Sequence, residues 1–89
     1  MGYQVQYEPQ ALDDLKLLAA PLRKRIVKKI DWLAENFESI KPLPLAANLS
    51  GLYKLRVGDY RVVYEFDQEI RVVTVDWVGH RRDVYKRRR

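Results

Sequence analysis

Residues 3–7, Tyr3-Gln4-Val5-Gln6-Tyr7, alternate large apolar and polar side chains, the period of two that a half-buried strand requires. Pro9 follows where a first helical turn tolerates it. Leu12, Leu15 and Ala19, with Leu18 beside them, recur at helical spacing, and Asp13 and Asp14 stand near the positive start of that helix. Ala20-Pro21 interrupts the pattern, and Pro21 opens a second helix. There Leu22, Ile26, Ile30, Leu33 and Phe37 form one stripe, with Arg23, Lys24, Lys28, Asp31 and Glu35 off it. This spacing predicts an amphipathic helix of about 16 residues, paired with the first as a helical hairpin. Residues 38–48, with Pro42 and Pro44, read as a loop; 45–49 read as a short helical turn ended by Ser50-Gly51.

From residue 52 the period switches to two. Residues 52–57 form a strand, Gly58-Asp59 a two-residue hairpin turn, and 60–67 the returning strand. Gln68-Glu69 reads as a second tight turn and 70–78 as a third strand, with a short basic tail segment from Gly79 around Asp83-Val84-Tyr85. The fold class is α+β, in one domain over 1–89. An N-terminal strand and a two-helix hairpin precede a three-stranded antiparallel meander, with the helices packed on one sheet face.

The Gly58-Asp59 turn sets a register in which Arg56 faces Arg61, Lys54 faces Val63 and Tyr53 faces Tyr64. Tyr53, Leu55, Val57, Tyr60, Val62, Tyr64 and Phe66 then share the core face under the helices. Lys54, Arg56, Arg61 and Val63 share the other. If Gln68-Glu69 is a two-residue loop, Asp76 and Thr74 lie beside Arg61 and Val63. Two arginines directly opposed on a sheet repel by a few tenths to about 1 kcal/mol. A bound phosphate would neutralise both. The plain alternative is a solvated face on which Asp76 and Glu65 pair with them.

Composition narrows the chemistry. The 89 residues contain no cysteine, which excludes a disulfide scaffold, a zinc–thiolate site and a cysteine nucleophile. A chain this long buries roughly 60–65% of its unfolded surface, enough for one core. The start of the chain carries no secretion or myristoylation pattern and no stretch is apolar enough to span a bilayer, so a cytoplasmic location without membrane contact is expected. The net charge of +5 is uneven. Residues 1–50 hold 7 basic and 6 acidic groups, whereas 51–89 hold 10 and 6, with arginine supplying 8 of those 10. Arginine binds phosphate in bidentate fashion, so a polyanion facing the C-terminal half is the natural partner.

One histidine, His80, excludes multi-histidine metal sites and a two-histidine ribonuclease mechanism. No glycine-rich phosphate loop or nucleophile motif occurs, and no metal or cofactor is expected. What remains is a basic, aromatic set: Lys54, Arg56, Arg61, His80, Arg81, Arg82 and Tyr85. Cleaving RNA through its own 2′-hydroxyl needs a proton acceptor, a proton donor and cations around the phosphorane. Arginine and lysine supply cations, Tyr85, His80 or Lys54 could move protons, and an aromatic ring can hold an unstacked base. Against this, His80 could be a solvated loop residue, Tyr85 a core tyrosine closing the sheet end, and Arg81 and Arg82 solvated charges.

The run 49–64, Leu-Ser-Gly-Leu-Tyr-Lys-Leu-Arg-Val-Gly-Asp-Tyr-Arg-Val-Val-Tyr, resembles the central hairpin of the RelE/ParE toxin superfamily. The run 78–85, Val-Gly-His-Arg-Arg-Asp-Val-Tyr, resembles the C-terminal signature of its RelE branch, and the element order agrees along the whole chain. The resemblance implies a toxin of a toxin–antitoxin pair: a ribosome-dependent endoribonuclease that cuts messenger RNA in the vacant A site. Lys54 matches a basic active-site residue of the family. Arg61 matches the arginine that binds the scissile phosphate, Arg81 the one assigned to transition-state charge or leaving-group protonation, and Tyr85 the tyrosine that stacks on or orients the nucleotide. Arg56 is a supporting contact, with His80 and Arg82 as further RNA-binding positions. Two positions depart from the pattern: Leu52 stands where some members have a second lysine, and His80 where others have a lysine. The implied partners are the ribosome and its messenger and an acidic, RelB-like antitoxin that folds around the basic chain; DNA is met only through the antitoxin complex. A ParE-like inhibitor of DNA gyrase shares the fold, and a non-enzymatic RNA-binding module shares the charge, so both remain alternatives.

Overall fold

The computed structural model describes residues 2–46 and 50–86. Strand β1 (Gln4–Tyr7) leads into helix α1 (Pro9–Lys16) and helix α2 (Ala20–Glu35). A 3₁₀ turn (Phe37–Ser39) and a two-residue strand β2 (Leu43–Pro44) precede β3 (Tyr53–Val57), β4 (Tyr60–Asp67) and β5 (Val72–His80), and a second 3₁₀ turn (Val84–Lys86) follows. The strands form one sheet in the order β1-β5-β4-β3-β2. The expected α+β order is present. Two pairings enlarge the sheet beyond the meander: β1 runs parallel to β5, and β2 pairs with β3. Of the helical turn expected at 45–49, residues 47–49 lie outside the described residues, and residues 45 and 46, which follow the short strand β2, are not helical.

The helices start where proline permits. Glu8 (φ −70°, ψ 152°) and Ala19 (φ −59°, ψ 146°) are extended, as a residue before a helix should be, and Pro9 and Pro21 occupy first-turn positions. Between the helices, the Arg23 guanidinium donates to the carbonyls of Leu15 (3.4 Å) and Leu18 (3.0 Å), tying the start of α2 to the end of α1. α2 buries Ile26, Ile30 and Leu33 of the expected stripe together with Ala34, while Leu22 is half-buried and Phe37 is buried in the 3₁₀ turn that follows the helix. α1 differs from expectation. It buries Ala11, Asp14 and Leu15, and leaves Leu12 45% exposed. Asp14 does not serve the helix start. Its carboxylate is turned inward and accepts from the Val78 N–H (2.9 Å) and from Gln10 Nε2 (2.9 Å). Val78 lies beyond the last β1–β5 pair, Tyr7 with Val75, so its amide needs a partner from outside the ladder.

The β3–β4 register is the expected one, with Arg56 opposite Arg61 and Lys54 opposite Val63. Gly58 carries φ +58°, the left-handed backbone that the first position of a tight hairpin turn requires. The next connection departs from expectation. Gln68 to Arg71 form a four-residue loop closing on the Asp67–Val72 pair, because the Asp67 carboxylate accepts from the amides of Glu69 (2.9 Å) and Ile70 (3.2 Å) while Arg71 takes φ 57°. β5 therefore spans 72–80 rather than 70–78. A bulge follows, in which Val63 faces Trp77 while Tyr64 faces Val75, leaving Asp76 as the additional residue. Gly79 and Trp77, not Asp76 and Thr74, sit beside Arg61 and Val63.

Two apolar clusters fill the helix side. One joins α1, α2 and the sheet through Ala11, Leu15, Ile26, Ile30, Val57, Val62, Val75 and Val78. The other holds Tyr3, Leu33, Ala34, Phe37, Tyr64 and Val73, with Phe37 against Tyr3 (4.6 Å between centroids) and Phe66 (4.7 Å). The opposite face is not purely solvated. Leu45, Val63, Trp77 and Val84 make a third, smaller cluster there.

Candidate functional site

The site is a strip along the face of the β3–β4 hairpin that points away from the helices. At the turn end, the Arg61 guanidinium folds back and donates through one nitrogen to the carbonyls of Gly58 (3.0 Å) and Tyr60 (2.9 Å). A guanidinium has five N–H donors, so others remain for a ligand. Arg81 is tied to the same turn. Its amide donates to the Asp59 carbonyl (2.8 Å), and its Nε lies 3.8 Å from the Asp59 carboxylate, both side chains being largely exposed. Arg56 is exposed beside Arg61 in the cross-strand pair. Two residues further along β3, the Lys54 ammonium donates to the Tyr85 hydroxyl (2.9 Å) and lies 5.5 Å from the centre of its ring. The turn, the arginine pair and the Lys54–Tyr85 pair thus follow one another along a single face.

Tyr85 is held there by residues that the sequence reading left in a tail. Val84 is fully buried against Val63, Trp77 and Leu45, and the Trp77 indole N–H donates to the Val84 carbonyl (3.0 Å). The Asp83 amide donates to the His80 carbonyl (2.8 Å). Residues 81–86 are therefore a folded turn that places Tyr85 over the hairpin, 38% exposed. The signal was present in the sequence: Trp77 and Val84 are apolar positions of the C-terminal run, and the bulge rotates Trp77 onto this face.

His80 is not brought onto the strip. It pairs with Tyr60, and its ring meets the Tyr60 ring edge-on at 5.5 Å on the helix side of the sheet. Its Nδ1 accepts from the Arg82 amide (3.2 Å), which puts the proton of the neutral ring on Nε2. His80 thus shapes the turn that carries Arg81 and Arg82. The Arg82 side chain is exposed on that turn.

Two phenols are shifted by burial. Burial, and then the neighbouring Tyr53, push Tyr64 up to about 12; burial, and then Asp31, raise Tyr7. Both rings pack on the helix side and cannot exchange protons with a ligand on the strip. Among the described residues, no group of three or more histidine, cysteine, aspartate or glutamate side chains could hold a metal ion. No described helix is long and apolar enough to cross a membrane. The strip can do two things chemically: gather several cations around one phosphate, and present an amine–phenol pair with an aromatic surface beside it.

Known proteins share this architecture. The family model for the ParE toxin of type II toxin–antitoxin systems matches residues 5–85. Toxin RelG of Mycobacterium tuberculosis is 34% identical over 91 residues, spanning 98% of this chain and all of that protein. Among solved structures, the RelBE2 toxin–antitoxin complex of Mycobacterium tuberculosis superposes with a TM-score of 0.79 at 27% identity, over 90% of this chain and 99% of that one. A variant of the E. coli toxin RelE in the free state superposes at 0.77 with 25% identity, over 96% and 90% of the two chains.

Proposed function

The chain belongs to the RelE/ParE superfamily of type II toxins, and from that premise we propose that it is a ribosome-dependent endoribonuclease, neutralised in the cytoplasm by an acidic, RelB-like antitoxin. The observation that carries this reading is the alignment of Arg81, Arg61 and Arg56 with the Lys54–Tyr85 pair on one open face. In the reaction, the 2′-hydroxyl attacks the adjacent phosphorus and the 5′-oxygen leaves. Arg61 binds the scissile phosphate, Arg81 meets the charge that develops on the phosphorane, and Arg56 and Arg82 hold flanking phosphates. Tyr85 supports the nucleotide through its ring, and its hydroxyl and the Lys54 ammonium, already hydrogen-bonded, are placed to pass a proton. His80 contributes by setting the 81–83 turn.

Amines, phenols and guanidinium groups are as classes weak proton shuttles at neutral pH, so the site must rely on charge stabilisation and on a substrate positioned by something else. The ribosome supplies that positioning. Purified protein should therefore cut messenger bound to ribosomes with an empty A site and barely cut the same RNA free in solution. Equal cleavage of both would sink the ribosome dependence.

A second reading rests on the match to the ParE family model: inhibition of DNA gyrase without RNA cleavage. Ribosome-bound messenger left intact, together with loss of gyrase supercoiling, would select it.

A further inference from the structure

Val57 and Tyr60 close the two-residue hairpin turn as a hydrogen-bonded pair, so the next pair, Arg56 with Arg61, is a non-hydrogen-bonded one. That is the closest approach two residues make in an antiparallel ladder, about 4.5 Å between Cα atoms, with both side chains on one face. Among the described residues, no carboxylate lies within ion-pair distance of either arginine. Arg81 stands at the same end, its guanidinium 3.8 Å from the exposed Asp59 carboxylate. In the other direction, Lys54 and the 38% exposed Tyr85 ring lie two residues along β3, about 7 Å away. Guanidinium groups are thus crowded at one end of the strip, and an aromatic ring stands about a sugar's length from them.

An RNA strand matches this crowding only in part. Its phosphates carry one charge each and are separated by a sugar, so it brings one phosphate at a time to the arginine pair. Phosphates joined by a single bridging oxygen bring several charges to one place. We infer that the strip is also a binding site for free nucleoside 5′-triphosphates, with the phosphate chain across Arg56, Arg61 and Arg81 and the base against Tyr85. The carbonyls of Gly58 and Tyr60 already hold the Arg61 guanidinium, which limits the ordering that binding must supply. A bound triphosphate covers the positions that the scissile and flanking phosphates of a messenger would take, so the two compete. That competition rests on the nuclease reading above; the binding rests on the charges and the ring alone.

Titration calorimetry of the purified full chain with ATP, AMP and inorganic tripolyphosphate tests this. ATP should bind about tenfold or more tightly than AMP, whose single phosphate cannot engage the whole arginine group. Tyr85→Ala should weaken ATP by about tenfold, the scale of one lost base stack, and leave tripolyphosphate unchanged. Arg56→Gln should weaken ATP and tripolyphosphate alike, by about tenfold, with unchanged thermal melting. Lys24→Gln removes an exposed cation of α2 on the other side of the sheet and should leave all three affinities unchanged. Equal affinity for ATP and AMP, or equal losses from Lys24→Gln and Arg56→Gln, would mean diffuse attraction to a basic chain and overturns the inference. In the ribosome assay, ATP should raise the messenger concentration needed for half-maximal cleavage and leave the maximum rate unchanged. Cleavage of subsaturating messenger that is undiminished when ATP saturates the chain overturns the inference and leaves the nuclease reading standing. Messenger left uncut without ATP, while ATP binds as expected, removes the nuclease reading and leaves the nucleotide site in place.

Discussion

The two faces of one sheet are built for opposite purposes. Toward the helices, every second residue of β3, β4 and most of β5 enters a continuous apolar layer, and the polar groups that do enter it are paired, as Asp14 is with the Val78 amide. Away from the helices, four apolar side chains suffice to pin the C-terminal turn, and Lys54, Arg56, Arg61 and Arg81 line the open strip beside it. The first face supplies rigidity and the second spends some of it, since Arg56 and Arg61 oppose each other without a carboxylate between them in the ladder. Like charges held apart by a rigid backbone form a site ready for an anion, because the protein does not reorganise when the anion arrives.

The sharpest test of this division is a pair of substitutions. Ile30→Ala removes a fully buried side chain from the helix-side core and should lower stability by about 2–5 kcal/mol in denaturant titration. Arg61→Ala should change stability by only about 0.5 kcal/mol, since its bonds are to carbonyls at the hairpin turn end, one exposed and one half-buried, yet slow single-turnover cleavage by about 100- to 1,000-fold. A large loss of stability on Arg61→Ala would make the arginine structural and dissolve the contrast between the faces.

Trp77 stands where the two purposes meet. Trp77→Phe keeps an aromatic ring but leaves the buried Val84 carbonyl without its donor, which should cost about 1–3 kcal/mol. If the indole positions Tyr85, cleavage should also fall by about 10- to 100-fold, and in a Tyr85→Ala background the same substitution should leave the rate unchanged. Equal losses in both backgrounds would show that Trp77 acts on stability alone.

Much of this was legible in the chain. The α2 stripe, the Gly58-Asp59 turn and the facing of Arg56 and Arg61 follow from periodicity and turn chemistry, which act between near neighbours. What was not legible depends on partners distant in sequence. Asp14 looked like a residue for a helix start because its true partner, the Val78 amide, is 64 positions away. The four-residue loop after Asp67 needed an arginine in left-handed backbone, which no propensity would select. The bulge at Asp76 shifted the register and moved Trp77 beside Val63, and so turned an apparent tail into the support for Tyr85. In the candidate site, the sequence marked the charged residues but not the apolar ones beneath them.

The smallest expected effect tests whether charge helps to hold the helix-side face at all. At its far end Arg71 donates to the Glu38 carboxylate (2.9 Å) and lies over the Tyr3 ring (4.9 Å). The hydrogen bond from Arg71, and then its charge, hold the Glu38 carboxyl below the ordinary value of 4.5 and raise Arg71 in turn. A carboxyl with a depressed folded-state pKa stabilises the fold above its unfolded pKa, and that contribution disappears as pH falls through the folded value. Glu38→Gln should therefore melt slightly below the parent protein at neutral pH, and the difference should close on acidification below the ordinary glutamate range. Both side chains are solvent-accessible, so added salt should also shrink the difference. If the gap at neutral pH rivals that of Ile30→Ala, the helix-side face depends on charge as well as packing, and the two faces differ less than their residues suggest.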